Sequence, residues 1–222
     1  MTPSALIFDL DGTLLDSAPD IHAVSNAVLQ EYGFAPLEFQ QVRSFIGHGV
    51  PHLLGCLLTA SGADPNGGLV DRMIPTFNRI YEQAVTLTLP YPGVQQVLRT
   101  LKAEGHPMAI CTNKPIGPTH ATLNHFDLAP LFDTIIGGDS LPTRKPDPAP
   151  LLRAHTDLGG GPALYIGDSE VDAETAQRAH LPFILFTEGY LKTPVADVPH
   201  DATFSQFANL PEIVANWAWQ AR

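Results

Sequence analysis

Four short segments of the chain carry side chains that could do chemistry together. In Asp9-Leu10-Asp11-Gly12-Thr13 two carboxylates alternate with an apolar residue, so an extended backbone sets both on one side with Cα atoms about 7 Å apart. Two anions so placed want a cation between them, and Gly12 permits a tight departure of the chain whose N–H groups can cradle an anion. Asp-x-Asp-Gly is also ordinary turn chemistry, and the segment gains meaning only beside the others. Thr112-Asn113-Lys114 offers a hydroxyl that could hold a phosphoryl oxygen, an amide and an ammonium, although Thr112 and Asn113 could equally cap a helix. Lys145 lies in Arg144-Lys145-Pro146-Asp147-Pro148, where prolines stiffen the backbone and suit a fixed cation. Gly167-Asp168-Ser169-Glu170-Val171-Asp172 sets carboxylates four apart at a helix start. A plain N-cap at Asp168 or Ser169 leaves the other acids without a role.

The elements that must position these segments are five apolar runs, read as buried strands at Ala5 to Leu10, Pro107 to Cys111, Thr134 to Gly137, Ala163 to Gly167 and Pro182 to Thr187. Helical patterns at Val94 to Glu104, Pro148 to Thr156 and Ala173 to Ala179 separate them, which predicts an α/β doubly wound parallel sheet. In such sheets ligands bind at the carboxyl ends of the strands, where the four segments fall. From Asp16 to Val85 the pattern changes. Ile21, Val24 and Val28 with Gly33 closing the helix, then Val50 to Ala60, then Val70 to Gln83 read as helices with no strand between them. The expected organisation is an α/β core of residues 1–15 and 87–222, with a small helical insertion, residues 16–86, after the first strand. The turn-rich joints near Asp16 and at Pro90-Tyr91-Pro92-Gly93 are candidate hinges.

The chain has 222 residues, of which 44% are hydrophobic and 16% charged, enough apolar content for a sizeable core. Its formal net charge of −11 disfavours nucleic-acid backbones and anionic membrane surfaces and leaves a small molecule as the expected partner. An anionic substrate must then be met by a few local cations or a bound metal. Cys56 and Cys111 are far apart in apolar stretches and are expected to be buried free thiols. The N-terminus lacks a basic region and its apolar run is too short for a signal or a membrane span, so a cytoplasmic location is expected.

Taken together, the Asp-x-Asp-Gly-Thr segment, the Thr after the second strand, the Lys after the third and Gly-Asp-x-x-x-Asp after the fourth resemble the haloacid dehalogenase superfamily, with its Rossmann-like core and helical cap. Within it, Asp16-Ser17-Ala18-Pro19-Asp20, Phe45-Ile46-Gly47-His48-Gly49, Cys111-Thr112-Asn113-Lys114-Pro115 and Arg144-Lys145-Pro146-Asp147-Pro148 look most like phosphoglycolate phosphatases. His48 departs from the Asn common there. The resemblance implies a Mg²⁺-dependent phosphomonoester hydrolase, monomeric or homodimeric. Asp9 would be the nucleophile forming an aspartyl phosphate. Asp11 would be the general acid and base. Thr112 and Lys145 would stabilise charge on the transferring phosphoryl group. Asp9, the carbonyl of Asp11 and Asp168 would hold the metal, with Asp172 behind them. Asn113, Gly47, His48 and Gly49 would bind substrate.

The cap from Asp16 to Val85 contains no Lys and three cations, Arg43, Arg72 and Arg79, against seven acids. Arg72 and Arg79 share a helix and are expected to be solvated or paired there, so Arg43 is the cap residue expected to grip a substrate carboxylate. Gly47-His48-Gly49 fails as a dinucleotide motif because position 52 is His. His48 and His52 are spaced as metal ligands without the His-Glu-x-x-His signature, and Trp217 and Trp219 read as packing anchors. Rival readings are a carbon-halogen dehalogenase, which the second acid Asp11 and the Asp168/Asp172 pair disfavour, another capped enzyme of the superfamily such as a sugar-phosphate phosphatase or a phosphomutase, and a receiver-type signalling domain, which the helical insertion disfavours.

Overall fold

The computed structural model describes residues 4–217. In chain order the elements are β1 (Ala5–Phe8), β2 (Leu15–Asp16), α1 (Ala18–Glu31), α2 (Phe39–Ser44), α3 (Val50–Ala60), α4 (Leu69–Tyr81), β3 (Leu89–Pro90), α5 (Val94–Ala103), β4 (Met108–Cys111), α6 (Ile116–His125), β5 (Thr134–Ile136), α7 (Ala149–Asp157), β6 (Ala163–Gly167), α8 (Glu170–Ala179), β7 (Phe183–Phe186), β8 (Ala202–Phe204) and α9 (Leu210–Ala215). Six strands form a parallel sheet in the order β5-β4-β1-β6-β7-β8. β1 is central, pairing Leu6 with both Met108 and Leu164. Because β4 and β5 extend the sheet on one side of it and β6 to β8 on the other, a crevice opens at the carboxyl ends of β1, β4 and β6.

Period two divides the strand side chains between two faces. Leu6, Phe8, Met108, Ile110, Leu164, Ile166, Ile184 and Phe186 enter one apolar cluster with α5 and α9, while Ile7, Ala109, Cys111, Tyr165 and Leu185 enter another with α7 and α8. Both faces are covered, which is why these strands read as continuous apolar runs rather than alternating ones. Trp217 packs against the first cluster; Trp219 lies outside the described residues.

Helices α1 to α4 make their own cluster, in which Ile21, Val24, Val28, Leu54, Leu57, Met73 and Phe77 are buried and Tyr190 joins from far along the chain. The segments entering and leaving this helical cap pair as a two-stranded antiparallel ribbon, Leu15 with Pro90 and Asp16 with Leu89. The joints are therefore ordered ribbon rather than turns alone. Asp20 at the start of α1 accepts the N–H groups of Leu87 and Thr88 and the Thr88 hydroxyl on Oδ2, which ties the exit of the cap to its entry.

Several sequence expectations are corrected. The sheet has a sixth strand, β8, and α2 and α6 interrupt stretches with no expected element. Helix α8 begins at Glu170, not Ala173, because Ser169 and Asp172 form a reciprocal capping box. Cys111 is buried, but Cys56 is only half-buried: the inner face of α3 is taken by Leu53, Leu54, Leu57 and Leu58, and residue 56 falls on the other side. No described helix is long and apolar enough to cross a membrane.

Candidate active site

The end of β1 delivers Asp9, which is buried, with its N–H donating to Ile166 O at 2.9 Å. The chain then turns through Gly12 at φ +88°, where a Cβ would collide with the Asp168 carboxylate and the Tyr190 ring, so both the turn and the close approach require glycine. The end of β6 delivers Asp168. Its Oδ1 accepts the Thr13 hydroxyl at 2.6 Å and its Oδ2 the Tyr190 N–H at 2.7 Å. One turn into α8, Asp172 receives Lys145 Nζ at 2.7 Å and the Tyr165 hydroxyl at 2.6 Å on Oδ1. On Oδ2 it receives the Ser169 hydroxyl at 2.6 Å and the N–H groups of Asp168 and Ser169. Five donors saturate the lone pairs of one carboxylate. Asp172 is thereby fixed as an anchor, whereas Asp9 Oδ1 is buried with no aligned hydrogen-bond donor and only the charge of Lys145 Nζ at 3.0 Å.

Among the described residues Asp9, Asp168 and Asp172 are the group of acidic side chains close enough to share a metal ion, all three buried. The cluster has one ammonium for three carboxylates, Lys145, which touches Asp9 and Asp172, and the imbalance shifts their acidities. Burial, with the neighbouring Asp172, pushes Asp9 up to about 7 against the opposing pull of Lys145. Burial and the charges of Asp172 and Asp9 raise Asp168 well above the carboxylate range. Asp172 would also rise by burial, but Lys145 and the hydrogen bonds from Lys145, Ser169 and Tyr165 hold it below its ordinary value. Burial disfavours the Lys145 ammonium, yet Asp172 and Asp9 more than offset this and raise it. Excess buried negative charge with an underused Asp9 oxygen fits a hard divalent cation bound through oxygen.

A cavity opens over this cluster between sheet and cap. Its polar side consists of Asp9, Asp11, Thr112, Asn113 and Lys114; its apolar walls are Ile21, Phe45, Ile46, Val50, Leu53 and Phe77 from the cap. Asp11 Oδ1 accepts the Ser17 hydroxyl at 2.7 Å and faces Lys114 Nζ at 3.1 Å. The Lys114 ammonium also donates to the Tyr81 hydroxyl and sits 3.9 Å from that ring's centroid, while Tyr81 donates to Asp11 Oδ2 at 3.3 Å.

The structure brings Asp9, Asp11, Thr112, Asn113, Gly47 and Gly49 to the cavity, with Lys145, Asp168 and Asp172 behind Asp9. Asn113 spends its amide on Gly47 O and Lys145 O, both at 2.9 Å, pinning the cap loop to the core. Two expected cap residues are elsewhere. Arg43 donates to Gly189 O at 2.9 Å and lies over the Tyr190 ring, strapping cap to core outside the cavity lining. His48 turns onto His52, ring centroids 4.7 Å apart; burial, then the charge of His52, lowers its pKa. The sequence offers the Lys114 ammonium without a specific task and gives no sign of Tyr81, Tyr165 or Tyr190 at the site. Of these only Lys114 carries a local signal, a lysine between a strand end and Pro115.

The family model for haloacid dehalogenase-like hydrolases matches residues 6–186, spanning every polar residue of the cluster. The chain is 54% identical over 215 residues to a phosphoglycolate phosphatase of Rhodobacter capsulatus, covering 97% of this chain and 98% of the relative. It is 34% identical over 212 residues to one of Caulobacter vibrioides, covering 94% and 90%. A crystal structure of a predicted phosphoglycolate phosphatase from Haemophilus somnus 129PT superposes with a TM-score of 0.88 at 29% identity, covering 96% of this chain and 98% of that one. By the match of its motifs, its sheet and its inserted helices, this chain belongs to the haloacid dehalogenase-like hydrolases.

Proposed function

We propose that the chain is a Mg²⁺-dependent phosphomonoester hydrolase that converts 2-phosphoglycolate to glycolate and phosphate by way of a phosphate ester on Asp9. The observation that carries the reading is the pairing of Asp9, buried and with Oδ1 met only by the Lys145 ammonium at 3.0 Å, with Asp11 two residues on, at the floor of one cavity. The relatives named phosphoglycolate phosphatase supply the substrate. Residues 16–86 act as the cap over that cavity.

A carboxylate oxygen of Asp9 attacks phosphorus, forming the Asp9 Oδ–P bond as the P–O bond to the leaving group breaks. Asp11 gives its proton to the departing oxygen and glycolate leaves. Asp11, now a carboxylate, takes a proton from a water that attacks the same phosphorus, the Asp9 Oδ–P bond breaks, and phosphate is released. Thr112 and Lys145 donate to the equatorial oxygens, where charge accumulates. Asp9, the Asp11 carbonyl and Asp168 would hold Mg²⁺, which supplies charge neutralisation for an anionic nucleophile approaching an anionic phosphoryl group. Asp172, saturated by donors, keeps Lys145 and the turn after β6 in position.

The test is a panel of 2-phosphoglycolate, sugar phosphates and neutral aryl and alkyl phosphates, with Mg²⁺ and with EDTA, reading released orthophosphate. Release from 2-phosphoglycolate at the highest kcat/KM, abolished by EDTA, supports the reading. Isomerised sugar phosphate without net phosphate release would instead favour a phosphomutase.

A further inference from the structure

We propose that Lys114 is the receptor for the carboxylate of the leaving group, with Tyr81 of the cap forming the other side of that subsite. The inference rests on the reading of 2-phosphoglycolate as substrate and names what selects it.

Lys114 is the one cationic side chain among the described residues that line the cavity, and it is buried. The cap walls facing it, Ile21, Phe45, Ile46, Val50, Leu53 and Phe77, are apolar, so a carboxylate entering this space loses its water and must be met by a fixed positive charge. The other nearby cations are committed. Lys145 is held between Asp9 and Asp172, Arg43 is bonded to Gly189 O, and Lys192 donates to Ile46 O at 2.9 Å. Arg144 packs behind the Gly49 backbone and is absent from the lining.

The reach also agrees. In 2-phosphoglycolate the bridging oxygen and a carboxylate oxygen are separated by three bonds, like the N and O of one backbone residue, about 3 Å. Lys114 Nζ lies 3.1 Å from Asp11 Oδ1, the group assigned to protonate the bridging oxygen. A substrate with that oxygen at Asp11 therefore presents its carboxylate to Lys114. Without substrate, Asp11 and the Tyr81 hydroxyl occupy the ammonium's donors. Tyr81, at the end of α4, brings the cap to the same point, so the subsite is completed only when cap and core meet.

Calorimetric titration with Mg²⁺ present compares 3-phosphonopropionate, which keeps the carboxylate and cannot be hydrolysed, with propylphosphonate, which ends in a methyl group. Wild type should prefer the first by about 30-fold or more, the scale of a charge-assisted hydrogen bond in a dry site. Lys114→Met should bring the two within about threefold while still binding propylphosphonate, which shows the site intact, and Lys114→Arg should recover part of the preference. If Lys114→Met fails to fold, Lys114→Gln, able to keep a hydrogen bond with Tyr81, carries the same comparison. An unchanged preference in the neutral variant, or its loss in Arg144→Met or Arg43→Met instead, overturns the proposal. The functional reading fails separately, if wild type releases phosphate from neutral esters but not from 2-phosphoglycolate.

Discussion

The Tyr190 hydroxyl donates to Asp16 Oδ1 at 2.8 Å and accepts the backbone N–H groups of Ser17 and Ala18, each at 2.8 Å. One phenol from the connection between β7 and β8 thus satisfies two N–H groups at the start of α1, where such groups lack intrahelical partners, and Arg43 lies over the same ring. Tyr190→Phe keeps the packing but leaves two N–H groups unpaired. It should destabilise the protein by about 2–4 kcal/mol, lowering Tm by about 5–15 °C for a chain of this size. Thermal unfolding checks this.

Asp9 and Asp11 should separate cleanly in rapid-quench experiments. Asp9→Asn replaces the anionic, nucleophilic carboxylate with a neutral amide, so neither turnover nor phosphoenzyme is expected. Asp11→Asn keeps the nucleophile but not the proton, so phosphoenzyme should form and decay slowly. Phosphate recovered on any peptide lacking residue 9 would contradict the assignment.

Asp168 and Asp172 should differ in what they lose. Asp168→Asn should weaken Mg²⁺ binding by about tenfold or more through loss of a charged oxygen donor. Asp172→Asn leaves Lys145 without its closest counterion, 2.7 Å away in a buried site, and should cost stability, about 3 kcal/mol, more than metal affinity. Mg²⁺ titration and denaturant unfolding of both variants distinguish them, and greater metal loss in Asp172→Asn would reverse the roles.

In EDTA the protein should lose stability as pH rises from 5 through about 7. Burial raises Asp9 to about 7 and Asp168 upward as well. The folded state therefore holds protons that the unfolded chain has already released near pH 4, and stability present below that range is lost as pH climbs through the folded values. Tm should fall with pH in EDTA, more shallowly in Asp9→Asn, and Mg²⁺ should restore it at pH 8. A Tm that rises from pH 5 to 7 in EDTA would contradict the assignment.

Legibility followed burial. β1, β4, β6 and β7 are buried on both faces and stand out as apolar runs. β8 is three residues with one buried side chain, and α6, Ile-Gly-Pro-Thr-His-Ala-Thr-Leu-Asn-His, lacks a helical apolar stripe; neither leaves a periodic trace. The start of α8 was hidden because its capping box uses Asp172 in place of the usual Glu or Gln. In the site, Asp9, Thr112 and Asp168 were readable because each closes a strand. Cap cations could be counted but not aimed: the sequence holds Arg43 in a cap, and only the packing of α2 turns it onto Tyr190 while Lys114, from the core, lines the cavity.

The position of β1 has a consequence for how the chain assembles. Its partners, Met108 to Ile110 on one side and Ala163 to Ile166 on the other, leave the ribosome long after it does. β1 waits through about a hundred residues for its first partner, while α1 to α4 contact one another within a short stretch and can condense first. The inserted helices can thus begin to condense while β1 is still unpaired, shortening the span between it and β4. The loop they compact is the one whose closure entropy would otherwise weigh most against completing the sheet.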